Sequence, residues 1–271
     1  AVGAKPAPRS FLLRTAVRNR RMTRLEEEAW LAAMSALTER AANELWGQRE
    51  VLPALAAKIG DGRDRSLLLM LMASANYGTR LARPEVIPVV GRPNAGKSTL
   101  INALVGCERV LVAPEPGTTR DIVRVPIALD GVPFVLVDTP GLRETSDAVE
   151  TAGVDLALRL ARRHSFVLHL IDPRGPSNRD EGLHGLRVYT KSDLDSPRPC
   201  QDGLRVSART GEGLGELKRA LLARLQDHWV VRLAGCFLFT ARQVRHAQQL
   251  LDCPDSEWDA RWERWVWGRA R

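Results

Sequence analysis

The stretch Gly91-Arg92-Pro93-Asn94-Ala95-Gly96-Lys97-Ser98 decides the fold, because it matches the pattern GxxxxGK[ST] of a phosphate-binding loop. It follows the β-branched run 86–90, which is typical of a buried strand, and it opens a segment predicted to be helical over 97–105. Its glycines let the backbone curl around phosphate oxygens, and the amides at the helix N-terminus present positive potential to them. The loop therefore predicts an α/β nucleotide-binding domain, with Lys97 on the β- and γ-phosphates and Ser98 on Mg²⁺.

Further apolar runs downstream of the loop complete the pattern of an α/β fold. Asp130-Gly131 is a strong hairpin signal between two strand-like runs, 123–129 and 133–137. Other runs that are typical of buried strands lie at 166–171, 187–190 and 204–206. Helical stretches separate several of them, which predicts a mostly parallel sheet flanked by helices.

Three short motifs follow predicted strands and indicate that the nucleotide is a guanine nucleotide. Asp138-Thr139-Pro140-Gly141 places an acid where it can hold Mg²⁺ through water, and the Gly141 amide where it can meet the γ-phosphate. Thr190-Lys191-Ser192-Asp193 matches [NT]KxD, in which the Asp193 carboxylate accepts from guanine N1–H and N2–H, a donor pair that adenine lacks. Ser207-Ala208-Arg209 stands where backbone amides meet the guanine oxygen. The sequence thus predicts a P-loop GTPase domain.

The flanks of this domain have helical periodicity. Residues 24–59 are predicted to be helical, with Pro53 beginning a new helix and Gly60-Asp61-Gly62 forming a break before a helix over 67–77. Thr240 is predicted to cap a helix over 240–251, and a last helix over 256–269 places Trp258, Trp262 and Trp265 on one face, which we expect to pack against the N-terminal helices. The predicted organisation is a basic tail (1–23), a helical domain in two parts (24–83 and 229–271) and the GTPase domain (84–228).

Charge and cysteine content say less about the function than the motifs do. The chain has a formal net charge of +8, but residues 1–24 hold seven Lys or Arg and no acid, so the rest is nearly neutral. This stretch is interpreted either as an arm that touches nucleic acid or as sequence upstream of the true start. The four cysteines form no CxxC pair, which predicts no zinc site or disulfide framework and a cytoplasmic protein. Without an apolar run of membrane-spanning length, no membrane partner is expected.

The motifs together resemble those of the Era/EngA/TrmE group of GTPases. The shared stretches are GRPNAGKST from Gly91, PGTTRD from Pro116 and DTPGLRE from Asp138. Within the group, the run DTPGLRETSDAVE over 138–150 and SARTGEGL over 207–214 are most similar to the MnmE (TrmE) family of tRNA-modification GTPases. That family inserts its GTPase domain into a helical domain, which agrees with the helical flanks read above.

The resemblance implies a mechanism that depends on potassium. Leu142 stands where Ras-type enzymes carry the water-orienting Gln, and the MnmE family instead uses K⁺ and a distant glutamate. By resemblance, Asn94 and Thr118 ligate K⁺, Ser98 and Thr119 ligate Mg²⁺ with Asp138 acting through water, and Glu150 acts on the attacking water. The predicted catalytic residues are Glu150, Lys97 and Thr119. The predicted GTP-binding residues are Asn94, Ala95, Gly96, Lys97, Ser98, Thr99, Thr118, Thr119, Asp138, Gly141, Thr190, Lys191, Asp193, Ser207, Ala208 and Arg209.

The resemblance also implies tRNA or another RNA as a partner and a GTP-dependent homodimer through the GTPase domains; no DNA partner is expected. Two family features are not found: a folate-binding domain before the phosphate loop and a C-terminal CxGK motif. We therefore expect a reduced form of the family. Two alternatives stay open, a ribosome-assembly GTPase like Era or EngA and a GTP-binding scaffold without catalysis. The first is disfavoured because the region after the GTPase domain has no GxxG clamp.

Overall fold

A computed structural model of the chain describes residues 22–105, 123–138, 166–175, 184–195, 202–226 and 235–268. The chain divides into a sheet unit, Pro84–Arg224, and a helical unit built from the residues on either side of it. Within the described ranges, no helix is long and apolar enough to cross a membrane. In chain order the described elements are α1 (Arg24–Met34), α2 (Glu39–Gly62), α3 (Arg65–Ala73), α4 (Ala75–Ala82), β1 (Glu85–Gly91), α5 (Lys97–Val105), β2 (Val123–Leu129), β3 (Val132–Asp138), β4 (Val167–Ile171), β5 (Gly185–Thr190), β6 (Leu204–Val206), α6 (Leu214–Gln226), α7 (Ala241–Leu251), a 3₁₀ turn (Asp255–Glu257) and α8 (Trp258–Trp267).

Side-chain caps set the starts of the first three helices in the N-terminal half of the helical unit. The Thr38 hydroxyl accepts from the Ala41 amide and starts α2, and Asp64 accepts from the Leu67 amide and starts α3. Each such cap contributes about 1 kcal/mol. The helical prediction over 24–59 was wrong between α1 and α2, because it did not include the break at Ser35, where the first helix ends.

Two further sequence predictions on helix breaks were wrong. Pro53 does not begin a helix but lies inside α2, where burial of Leu52, Ala56 and Ile59 offsets the hydrogen bond that proline cannot donate. The segment 67–77 is not one helix, because buried Ser74 ends α3 and begins α4. The predicted break at Gly60–Gly62 lies within the last turn of α2, which ends at Arg63 in the left-handed conformation (φ 47°).

The C-terminal helices pack on the N-terminal ones through a tryptophan face and a buried polar network. Trp258 and Trp265 are fully buried, and the Trp262 indole donates to the Ala56 carbonyl of α2 at 3.0 Å, as the predicted face requires. Thr240 caps α7, as predicted, and Gln243 completes a reciprocal capping box with it. The Gln48 side chain bonds the Gly235 carbonyl (2.9 Å) and the Phe237 amide (3.0 Å). These contacts explain why segments so distant in sequence form one unit.

Gly78→Ala is expected to lower the free energy of unfolding of the helical unit by about 2 kcal/mol or more, because an added Cβ would lie 2.2 Å from the Leu238 carbonyl oxygen. Gly47→Ala is the matched control: its added Cβ meets nothing within 4 Å, so the helix gains up to about 1 kcal/mol. All seven tryptophans lie outside Pro84–Arg224, so urea denaturation followed by tryptophan fluorescence reports on this unit. Equal shifts in the two variants would contradict this account of the α4 packing.

The sheet unit confirms the predicted α/β class. Within the described residues, six strands form one sheet in the order β2-β3-β1-β4-β5-β6, with β2 antiparallel to β3 and the other pairs parallel. Asp130 and Gly131 both have positive φ (48° and 73°), which forms the predicted two-residue hairpin. The direction of the chain order reverses at β1, and ligands of such sheets bind beyond the carboxyl ends of the strands at that point.

Candidate nucleotide-binding site

The phosphate loop joins the carboxyl end of β1 to the N-terminus of α5, as the sequence predicts. Glycine is required at position 91 because the backbone of β4 lies close to it: an added Cβ would be 2.5 Å from the Leu170 carbonyl oxygen. Gly96 has φ 86°, a backbone conformation that residues with a Cβ rarely adopt. The loop therefore curls over the end of the sheet and leads into the N-terminus of α5, whose first backbone amides have no intrahelical partner and can face an anion.

Lys97 and Ser98 lie where the loop meets the ends of β1 and β3. The Lys97 ammonium donates to the carbonyls of Gly91 (2.9 Å) and Arg92 (3.0 Å), and the residue as a whole is 5% exposed. Burial lowers the pKa of Lys97, and the Asp138 carboxylate opposes that shift. The Ser98 hydroxyl donates to Asp138 Oδ2 at 2.8 Å, while the buried Oδ1 has no hydrogen-bond partner among the described residues. The site thus combines a buried cation, a hydroxyl and a carboxylate oxygen that lacks a partner.

The base-reading motif at the end of β5 is tied to the phosphate loop by two side chains. The buried Thr190 hydroxyl donates to the Ala95 carbonyl at 2.8 Å. The Lys191 ammonium donates to the adjacent Asn94 carbonyl at 2.7 Å and to Asp172 Oδ2 at 2.8 Å. Asn94 and Lys191 both have left-handed backbone, with φ 61° and 60°. The two motifs, 95 residues or more apart in sequence, are therefore in direct contact.

Asp193 presents its carboxylate between the ends of β5 and β6. Its Oδ1 accepts from the Ser207 hydroxyl at 2.6 Å, and its Oδ2 accepts from Arg209 Nε and Nη2, each at 2.9 Å. The hydrogen bond from Ser207, and then the charge of Arg209, hold the pKa of Asp193 below its usual value. The carboxylate is thus ionised at neutral pH, as an acceptor of two N–H donors must be. A base that takes both oxygens has to displace Arg209.

A cavity of about 330 Å³ joins the phosphate end of this arrangement to the base end. Its lining includes Gly96 and Thr99 from the start of α5, and Asp193, Ala208 and Arg209 from the loops after β5 and β6. Together with the hydrogen bonds above, the cavity places most of the predicted site residues at one edge of the sheet. Four of them, Thr118, Thr119, Gly141 and Glu150, lie outside the described residues, so their roles stay predictions.

Asp172 is a residue of this site that the sequence reasoning missed. It directly follows β4, which lies between β1 and β5, and its carboxylate binds the Lys191 ammonium and the Arg174 guanidinium. The available signal was its position, since a polar residue at the carboxyl end of a parallel strand faces the ligand edge of the sheet.

A phosphate loop after β1, an acid at the end of β3 and a guanine-reading motif after β5 define a P-loop GTPase domain. The comparison with known families agrees, since residues 86–194 match the model described as 50S ribosome-binding GTPase. Among curated proteins, the tRNA modification GTPase MnmE of Thermus thermophilus is 44% identical over 199 residues, which is 72% of this chain and 42% of that protein. MnmE of Acidiphilium cryptum is 40% identical over 79% of this chain and 48% of its own length. The chain thus carries an MnmE-like GTPase domain.

The chain spans less than half the length of these MnmE relatives. Among solved structures, that of Aquifex aeolicus Era bound to GDP and AlF₄⁻ is 26% identical over 51% of this chain and 56% of that one, with a TM-score of 0.39. A likeness at that score does not bear on function.

Proposed function

We propose that the chain binds GTP and hydrolyses it to GDP and phosphate, with Mg²⁺ and with stimulation by K⁺. The main support for the proposal is one cavity that extends from the start of α5, directly after the phosphate loop, to the Asp193 carboxylate. The lining fits the base at Asp193, with the rest of the nucleotide extending toward Gly96 and the phosphate loop. Adenine is disfavoured there because its N1 would oppose an ionised carboxylate with a lone pair.

The residues that would hold Mg²⁺ fit a hard cation. The Ser98 hydroxyl and the Asp138 carboxylate are adjacent, and the buried Asp138 Oδ1 has no partner within the described ranges. Oxygen ligands of this kind suit Mg²⁺, which keeps several waters and binds phosphate oxygens as well. When bound, Mg²⁺ would neutralise charge on the β- and γ-phosphates. Thr119 is proposed as the second threonine or serine ligand.

Potassium would be held by Asn94 and Thr118. Asn94 belongs to the phosphate loop, and its left-handed backbone is fixed by the hydrogen bond from Lys191. A monovalent cation here would supply the positive charge that an arginine finger supplies in other GTPases. Glu150 is proposed to orient the attacking water through a second water, because Leu142 has no group that could do so.

By likeness to the MnmE relatives, we further propose a role linked to tRNA modification, with RNA as a partner and a GTP-dependent dimer through the GTPase domains. The net charge is not evidence for an RNA partner, because most of the net positive charge lies in residues 1–24.

Glu150→Ala is expected to slow GTP hydrolysis in KCl by about 100-fold, since positioned acid–base groups contribute at least that much. GDP affinity should stay within about twofold, because Glu150 is assigned to the water and not to the nucleotide. Phosphate release is measured for wild type and variant in KCl and in NaCl at equal ionic strength. Glu144→Ala, which removes another acid of the same segment, is the control and should match the wild type.

Each outcome of this experiment has a distinct meaning. Hydrolysis that needs K⁺ and is lost in the Glu150 variant supports the full proposal. Equal wild-type rates in both salts would remove potassium from it. Tight GTP binding without turnover in either salt would leave a GTP-binding scaffold, and absence of binding would reject the proposal entirely.

A further inference from the structure

Two residues of the candidate site with strained backbone conformations are joined by a hydrogen bond. Asn94 in the phosphate loop and Lys191 in the base-reading motif both adopt left-handed φ, a conformation that is unfavourable for a residue with a side chain. The Lys191 ammonium donates to the Asn94 carbonyl at 2.7 Å, so one hydrogen bond connects the two strained residues. Such positions persist only where the surrounding structure over-determines them.

The Lys191 ammonium is itself held by Asp172. The distance from Lys191 Nζ to Asp172 Oδ2 is 2.8 Å, and the carboxylate is 18% exposed. Asp172 also accepts from the Arg174 backbone amide and from its guanidinium, at 3.0 Å each. Burial works against ionisation of Asp172, yet the hydrogen bonds from Arg174 and Lys191 hold its pKa well below the usual value. The carboxylate is therefore charged at neutral pH.

Asp172 comes from β4, which carries neither the phosphate loop nor the base-reading motif. It follows the strand that lies between β1 and β5 in the sheet, so it is placed between the two loops that contact the nucleotide cavity. A lysine side chain has four rotatable bonds and loses much entropy when it is fixed. An anchored carboxylate on the neighbouring strand reduces that loss by holding the ammonium over the Asn94 carbonyl before any nucleotide arrives.

We propose that Asp172 is a positioning residue that keeps Lys191 on the Asn94 carbonyl and so holds the base-reading motif and the phosphate loop in one arrangement. The inference rests on the proposed function, since it concerns guanine-nucleotide binding at the same site. The second tether, from Thr190 to the Ala95 carbonyl, stays when Asp172 is removed. Loss of Asp172 therefore weakens nucleotide binding without separating the two loops.

The test is a double-mutant cycle on Asp172 and Lys191, read as the affinity for fluorescently labelled GDP with Mg²⁺ in KCl. Asp172→Ala is expected to weaken GDP binding about tenfold, the value of one charge-assisted hydrogen bond. Asp172→Asn keeps a neutral acceptor of the same shape and should lose less. In the Lys191→Met background, Asp172→Ala should have no further effect, because the group it positions is gone.

Two controls separate positioning from folding. Arg174→Ala removes the other partner of Asp172 and should leave GDP affinity within about twofold of the wild type. The thermal unfolding midpoints of the nucleotide-free variants should match that of the wild type. If Asp172→Ala does not fold, Asp172→Asn replaces it in the cycle.

The outcomes distinguish this inference from the proposed function. Additive losses in the cycle, or an equal loss in Arg174→Ala, would overturn the positioning role while GDP binding by the wild type stands. No GDP binding by the wild type would overturn the proposed function, and this inference with it.

Discussion

Lys97→Met is expected to reduce the affinity for GTP by about 1000-fold while leaving the nucleotide-free protein folded. Removing one partner of a buried charge pair commonly costs about 2–5 kcal/mol, and each 1.4 kcal/mol is a factor of ten in the dissociation constant. Lys97 is a buried residue whose ammonium lies against the carbonyls of the phosphate loop, where phosphates would be its counter-charge. Isothermal titration with GTP and Mg²⁺ measures the loss.

The stability of the same variant provides the test of mechanism. Burial lowers the pKa of Lys97, so the charged ammonium is disfavoured in the folded state relative to the unfolded chain. That penalty is fully present below the lowered folded pKa, and it disappears as the pH rises to the ordinary lysine value, about 10.4. Methionine relieves the penalty but loses the bonds to the Gly91 and Arg92 carbonyls. The free energy of unfolding at neutral pH should therefore change by no more than about 1 kcal/mol.

Lys218→Met is the matched control for Lys97→Met. Lys218 lies on α6 of the same unit and takes no part in the candidate site, so its variant should bind GTP as the wild type does. A large loss of stability in Lys97→Met would show instead that the lysine holds the loop together, and the loss of binding would then be secondary.

The sequence predicted the sheet well and the helix boundaries poorly, for different physical reasons. The strands follow from short buried runs such as 86–90, whose burial on both faces leaves few alternatives. The starts of α1, α2 and α3 depend on single side chains that accept from a backbone amide, as Thr38 does. A cap of about 1 kcal/mol does not stand out in a pattern of apolar spacing. Pro53 shows the reverse case, since tertiary burial outweighed a local helix breaker.

The candidate site was predictable where one motif brings its own backbone geometry. The phosphate loop is one continuous stretch of sequence, and its two glycines indicate where the backbone turns. The contact between Lys191 and Asp172 is not local, because it depends on β4 and β5 being neighbours in the sheet. The sequence alone does not give the strand order, which is why the role of Asp172 was not predicted.

Asp193→Asn is expected to change the preferred nucleotide from GTP to xanthosine triphosphate, with a reversal of about 1000-fold in relative affinity. A site that pairs with a polar group of its substrate disfavours, by about 10⁴-fold, an analogue that leaves the buried groups of the site unpaired. Asp193 is only partly buried, so a smaller factor is expected here. With asparagine, an amide N–H would oppose guanine N2–H, whereas the xanthine 2-oxygen accepts from it. Competition between the two nucleotides for the labelled GDP site measures the reversal.

Asp195→Asn, which changes an exposed acid two residues further on, is the control and should keep the preference for GTP. In the wild type, the hydrogen bond from Ser207 and the charge of Arg209 depress the pKa of Asp193, so the charged acceptor is present above that pKa and is lost only as the pH falls through it. Guanine affinity should therefore stay constant from about pH 8 down to about pH 5, one unit above the ordinary aspartate value. If Asp193→Asn kept its selectivity for GTP, the base would have to lie elsewhere, and the ion pair between Asp193 and Arg209 would be only a structural contact between the loops after β5 and β6.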